Sequence, residues 1–239
     1  MKRKMSVCLA QVEVQRGNFA ANLKAHIELV QQAGKLGAHL VVFPELSLIG
    51  YELDLIQELA VDASSDNFQA LSKEAVEQGV TIIAGCPLLD NGKPTIGAVV
   101  CFADGQVEFY HKQFLHSGEE AYCTAGANDY VFEICGYKVG LAICADFTNP
   151  NHAANAAALG ADAYVVSALI SQSGFAQDSK ILASIAKDHQ LPVFLSNHIS
   201  KTGGWLAAGN NSVWNANGEC DMSSGSNEVG CFLYTIEDK

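Results

Sequence analysis

Charge is scarce in this sequence, and positive charge is scarcest. Of 239 residues only 17% are charged, and 14 Lys+Arg stand against 26 Asp+Glu, a formal net charge of -12. Arginine occurs only at positions 3 and 16. A phosphate backbone is therefore repelled rather than gripped, which excludes nucleic acid as a partner. With 49% hydrophobic residues the chain can bury enough surface to offset its ordering entropy, which excludes disorder. No apolar run approaches the 18 or so residues of a membrane span. The basic start Lys2-Arg3-Lys4 leads into an apolar stretch that Gln11 and Glu13 interrupt, too short for a signal peptide. These absences predict a soluble cytoplasmic protein with no membrane partner.

Other absences narrow the chemistry. There is no CxxC, and the eight cysteines (8, 86, 101, 123, 135, 144, 220 and 231) are spread along the chain, mostly inside apolar runs. Reduced thiols, several of them buried as small hydrophobes, fit this pattern better than a disulfide framework. GxGxxG, GxxxxGK[ST], HExxH and GxSxG are all missing, and the seven His do not cluster with Cys at metal-ligand spacing. No metal and no nucleotide cofactor is expected. No repeat, low-complexity segment or Pro/Gly/Ser-rich linker divides the chain, so a single domain over 1–239 is predicted.

What is present is an alternation of strands and helices. MSVCLAQVEV (5–14) reads as a buried strand. Residues 18–36 carry Ala21, Leu23, Ile27, Leu29, Val30 and Leu36 at helical spacing, from Asn18 to a stop at Gly37. HLVVF (39–43) is a short continuous apolar run, the mark of a strand covered on both faces. The three segments make a β-α-β opening. Further on, the pattern predicts a helix near 65–78, a strand at 80–86 and a hairpin of IGAVVCF and QVEFYHK around Ala103-Asp104-Gly105. Then come strands near 130–134 and 137–143 turning at Gly136, and a helix near 151–159. Beyond it lie the strand DAYVVSAL, a helix near 175–189, the strand LPVFLSN, and strands near 206–214 and 229–236. MSSGSN (222–227) reads as a loop. Because some strands are joined by hairpins and others by helices, the sheets should be mixed, and two sheets face to face with helices outside would cover this much apolar strand.

Three polar residues fall at the ends of predicted strands. Cys144 comes after KVGLAI and precedes a helix, a location that lowers a thiol pKa and offers backbone N–H groups to an oxyanion; a buried structural thiol is the plain alternative. Glu45 comes after HLVVFP among Phe43, Leu46, Leu48 and Ile49, apolar neighbours that would raise its pKa toward that of a useful base; a helix cap or solvated loop charge is the alternative. Lys112 closes VEFYHK, where a solvated edge lysine is also ordinary.

Taken together and in order, FPELSLIGY, YHKQFLHSGEEAYCTAG and VGLAICADFTNP resemble the three signature blocks of the nitrilase, or carbon-nitrogen hydrolase, superfamily. ADAYVVSA, Ser196-Asn197 and GNNSVWNANGE also resemble the family pattern. The resemblance implies a four-layer αββα sandwich with Glu45 as general base, Lys112 as the cation that stabilises a tetrahedral intermediate, and Cys144 as nucleophile. A second family glutamate usually lies seven residues before the glycine closing the lysine block; counting from Gly126 reaches Glu119, with Glu120 one residue away. Such a set attacks an amide through a thioester and needs no cofactor. A small amide or N-carbamoyl compound is the expected substrate. The rivals are acyl transfer from the same thioester and a catalytically silent binding protein on this fold. Ala145, Asn151, Thr124-Ala125-Gly126 and the absence of arginine from 175–189 depart from the pattern in ways that touch pocket and subunit packing. Small-residue helices such as HAANAAALG predict a homodimer or higher homo-oligomer.

Overall fold

Neighbouring residues of a strand face opposite ways, and in the first strands of this chain both faces are apolar. In the computed structural model, which describes residues 2–225 and 227–238, Val7 and Leu9 of β1 (Lys4–Gln11) enter one core while Cys8 and Ala10 enter another. β2 (Leu40–Val42) repeats the split, Leu40 and Val42 against Val41. Between them α1 (Phe19–Lys35) starts where the Asn18 side chain accepts the Ala21 N–H at 3.2 Å. Its Leu29, Val30 and Ala33 cover the second of those cores. β1 and β2 pair in parallel, completing the β-α-β opening.

The chain then runs through α2 (Ile56–Leu59), α3 (Asp66–Gln78), β3 (Thr81–Asp90), β4 (Lys93–Cys101) and β5 (Val107–His111). The second half holds β6 (Val131–Ile134), β7 (Tyr137–Ile143), α4 (Pro150–Ala158), β8 (Ala163–Ala168), α5 (Phe175–His189), β9 (Val193–Asn197), β10 (Lys201–Thr202), β11 (Trp205–Leu206), β12 (Ser212–Trp214), β13 (Cys220–Ser223) and β14 (Gly230–Glu237). Two mixed six-stranded sheets result, ordered β14-β1-β2-β3-β4-β5 and β13-β12-β9-β8-β7-β6. Val7, Leu9, Leu40, Val42 and Ile83 of the first sheet meet Val139, Leu141, Ile143, Val165 and Phe194 of the second in the central core. α1 and α3 cover the outside of one sheet, α4 and α5 the outside of the other. This is the αββα sandwich that the resemblance implied.

Three local expectations need correction. The strand predicted at 80–86 runs on to Asp90 and turns back through Asn91-Gly92, both at positive φ (50° and 76°), into β4. That pair is what a two-residue hairpin turn asks for. The strand predicted at 206–214 is two pieces: β11 pairs with β10 apart from the sheets, while β12 joins the second sheet. The loop predicted at 222–227 begins inside β13, because Met222 pairs with Val213 and Ser223 with Ser212; Ser226 lies outside the described residues.

Candidate active site

The carboxyl ends of the central parallel strands of both sheets are tied together. Ser167 at the end of β8 donates to the Phe43 carbonyl at 2.7 Å, and Ser196 in β9 donates to that of Val42 at 2.9 Å. Glu45 sits in the turn just past this clamp. The next residue, Leu46, has φ 49°, and β3 can approach only because residue 85 is glycine: a Cβ there would lie 2.3 Å from the Leu46 nitrogen. His198 donates from Nε2 to the Glu45 carbonyl at 2.6 Å. The turn is held from several sides, and its carboxylate is wholly buried.

Lys112 leaves the end of β5 with no exposed surface. Its carbonyl accepts the Gly126 N–H at 2.7 Å, and a Cβ at 126 would lie 2.3 Å from the His111 carbonyl oxygen, so the chain closes on the lysine through glycine. Lys112 Nζ donates to Glu45 Oε1 and to Glu119 Oε1, both at 2.7 Å. Glu119 is in turn fixed by the Tyr51 hydroxyl on Oε1 at 2.6 Å and by the His116 N–H on Oε2 at 2.7 Å. The neighbouring Glu120 is exposed and, among the described residues, accepts only the Gly118 N–H, at 2.7 Å. Of the two glutamates left open by spacing, Glu119 is the one on the lysine.

Cys144 ends β7 at φ 44°, in the left-handed region, where a non-glycine residue costs of order 1 to 3 kcal/mol. A single 3-10 segment, Cys144–Thr148, carries the chain from there into α4. Asp146 secures that turn. Its Oδ2 accepts the Ile143 N–H at 2.9 Å and the Tyr110 hydroxyl at 2.7 Å, and its Oδ1 accepts the N–H groups of Gln113 and Phe114 at 3.0 and 2.8 Å. Because these residues flank Lys112, one buried carboxylate sets the cysteine turn against the lysine strand. Tyr110 also accepts from His152 Nε2 at 2.8 Å, extending the network under α4.

Burial governs the electrostatics. It pushes the Glu45 carboxyl up, Lys112 pulls it down, and the charge of Glu119 pushes it up again, with a net rise. Burial pulls the Lys112 ammonium down, but Glu45, Cys144 and Glu119 outweigh it and the net direction is up. For Cys144, burial and then the charge of Glu45 hold the thiol well above its ordinary value, against Lys112. This corrects the expectation of a lowered thiol pKa: a single 3-10 turn does not offset desolvation beside two carboxylates.

Glu45 and Cys144 line a cavity of about 270 Å³ together with Tyr51, His116, Leu169, Asp178 and Trp205. The size suits a small molecule. A larger depression of about 640 Å³ beside α3 carries no such set of groups. Among the described residues no cluster of three His, Cys, Asp or Glu side chains is placed to hold a metal ion, and no helix is long and apolar enough to cross a membrane. Tyr51 and Asp146 lie inside FPELSLIGY and ICADF, where sequence reasoning gave them no role. His198, Asp178 and Trp205 carry no local signal.

Comparison with known proteins agrees with this architecture. The chain is 32% identical over 176 residues to the glutamine-dependent NAD(+) synthetase of Thermotoga maritima, covering 71% of this chain and 30% of that protein. It is 28% identical over 169 residues to the 2-oxoglutaramate amidase of Bacillus subtilis, covering 69% and 65%. It thus spans about a third of the synthetases it matches. In structure it resembles an amidase of the nitrilase superfamily from Nesterenkonia AN1, with TM-score 0.85, 22% identity and coverage of 98% and 90%. The sequence profile of the carbon-nitrogen hydrolases matches residues 6–235, and the chain belongs to that family.

Proposed function

We propose that this chain hydrolyses the carbon–nitrogen bond of a small amide, with Cys144 as nucleophile, Glu45 as general base, Lys112 as oxyanion partner and Glu119 as the carboxylate that fixes Lys112. The observation that carries this reading is the ammonium of Lys112 held at 2.7 Å by both glutamates beneath a cavity that Glu45 and Cys144 line together. The thiol is neutral at rest, so attack requires transfer of its proton to Glu45 as the sulfur closes on the amide carbon. The carbonyl oxygen then becomes an oxyanion facing Lys112 and the Ala145 N–H, groups whose stabilisation grows with the developing charge. Glu45 gives the proton to the departing nitrogen, leaving an acyl group on Cys144 as a thioester. Glu45, again a carboxylate, takes a proton from the water that attacks the thioester and passes it to the departing Cys144 sulfur, which releases the carboxylic acid and restores the neutral thiol.

The names of the sequence relatives, one glutamine-dependent and one a 2-oxoglutaramate amidase, put primary amides first among candidate substrates. Ammonia release across an amide panel, with mass spectrometry of the protein for acyl-Cys144, tests the proposal. Cys144→Ala is expected to release no ammonia above background while keeping its fold, since loss of one sulfur leaves little cavity. Wild-type rates in that variant would refute the assignment. Added hydroxylamine separates hydrolysis from acyl transfer by trapping hydroxamate.

A further inference from the structure

The cavity above Cys144 has an uneven chemistry that amide hydrolysis by itself does not use. Away from the lysine and the glutamates its wall is made by Leu169, Ile170, Ser171, Gly174, Asp178 and Trp205. Asp178 lies in the first turn of α5, half-buried. Among the described residues no side-chain hydrogen bond or ion pair engages its carboxylate. The other acid on the wall, Glu45, is occupied by Lys112 at 2.7 Å.

Among the described residues no lysine or arginine lines the cavity. The basic residue on its wall is His116, whose Nδ1 meets the Ser117 carbonyl at 3.1 Å. Lys112 lies fully buried, already held between two carboxylates. Burial raises the Asp178 carboxyl above its ordinary value, with His116 pulling the other way, which is the condition of an anion short of a counter-charge. On the same wall stands Trp205, 49% exposed and part of none of the hydrophobic cores. An aromatic face and a carboxylate on one cavity are the two groups that attract an alkylammonium. The same pair penalises a carboxylate, which would meet Asp178 with no lysine or arginine among the described lining residues to offset it, so attraction and repulsion both contribute to selection.

We infer that Asp178 and Trp205 form a subsite for an ammonium group at the far end of the substrate, so that the chain takes amides bearing an amine in preference to amides bearing a carboxylate. The inference rests on the amide-hydrolase reading of Cys144 and sets the substrate class within it. The test uses three primary amides on the same alkyl chain, one ending in methyl, one in an amine and one in a carboxylate. In the wild-type protein kcat/KM for the amine is expected to exceed that for the carboxylate about tenfold or more. Asp178→Asn should bring that ratio close to one and Asp178→Glu should preserve its direction, while Trp205→Ala should lower the amine's kcat/KM mainly through KM.

Calorimetric binding of the same three compounds to Cys144→Ala gives a readout that needs no turnover. Preferential binding of the amine supports the subsite even if no compound is hydrolysed, in which case the hydrolase reading alone fails. Turnover of all three amides with a wild-type ratio at or below one, or a ratio that Asp178→Asn leaves in place, overturns the inference and leaves the hydrolase reading standing. Equal binding of amine and carboxylate to Cys144→Ala overturns it as well.

Discussion

Glu119→Gln is the substitution whose effect can be worked most closely from the hydrogen bonds. The wild-type carboxylate accepts three donors, Lys112 Nζ and the Tyr51 hydroxyl on Oε1 and the His116 N–H on Oε2. A glutamine offers one oxygen and one NH2 group, so whichever way it is turned its nitrogen faces a donor. With the oxygen kept on Lys112 and Tyr51, the His116 N–H loses its acceptor; with the amide flipped, Lys112 and Tyr51 lose theirs. Losing one hydrogen bond to a charged group costs about 1.5 to 3 kcal/mol, and here the loss falls on the group that holds Lys112, the proposed oxyanion cation. If all of it is expressed in the transition state, kcat/KM should fall by about 10- to 150-fold. Glu120→Gln should stay within about twofold, since that side chain is exposed and accepts the Gly118 N–H rather than Lys112. Initial rates of ammonia release from both variants decide the matter. A larger loss from Glu120→Gln, or a Glu119→Gln rate within twofold of wild type, would show that this carboxylate does not set Lys112 for catalysis.

Lys112→Met and Glu45→Gln should each lower kcat/KM by about 100-fold or more, the effect typical of deleting a transition-state charge partner or a general base, and near-normal kinetics in either would refute its role. Because burial raises the Glu45 carboxyl, its basic form is lost as pH falls through that raised value, so the acid limb of kcat/KM should have its midpoint above about 4.3, the ordinary glutamate value. An acid limb at or below that value contradicts the assignment. His26 and His198 are buried and held down to about 4, so the unfolded chain takes up their protons first as pH falls from about 6.5 and stability should drop by about 2 kcal/mol per histidine at pH 5. Urea unfolding at pH 7 and pH 5 measures this, and an unchanged midpoint would show that these rings protonate in place.

The layers were legible because the apolar residues alternate between two covered faces rather than between core and water. Val41 and Val42 look alike in HLVVF, and the structure sends one toward the helices and the other toward the facing sheet. Helix limits were legible where a cap marks them, as at Asn18. The β3–β4 turn carries its own signal, for Asn91-Gly92 marks a hairpin as strongly as Ala103-Asp104-Gly105 does. Elsewhere the missing information is tertiary. Glu119 and Glu120 are adjacent and chemically identical; what separates them is Gly118 at φ 98°, which opens a 3-10 turn carrying Glu119 inward onto Lys112. His198 and Asp178 reach the Glu45 carbonyl and the cavity wall only through the packing of the second sheet and its helix, and no spacing within their own segments reveals it.

The cysteine environment also explains why the proposed base is a carboxylate hydrogen-bonded to a lysine rather than a free one. In a site this dry, forming a thiolate beside two ionised glutamates would add a second uncompensated negative charge, and the raised thiol reflects that. If the thiol proton moves to Glu45 as the oxyanion forms, the net charge around Lys112 stays constant, because one carboxylate is neutralised as one oxyanion appears. The lysine loses an anionic partner in Glu45 and gains one in the substrate, while Glu119, fixed by Tyr51 and His116, keeps the ammonium from following either. A charge redistributed within a buried site avoids most of the desolvation cost of a charge created there. On that account the neutral thiol is a requirement of the chemistry: reactivity is withheld until an amide carbonyl offers the place where the negative charge can go.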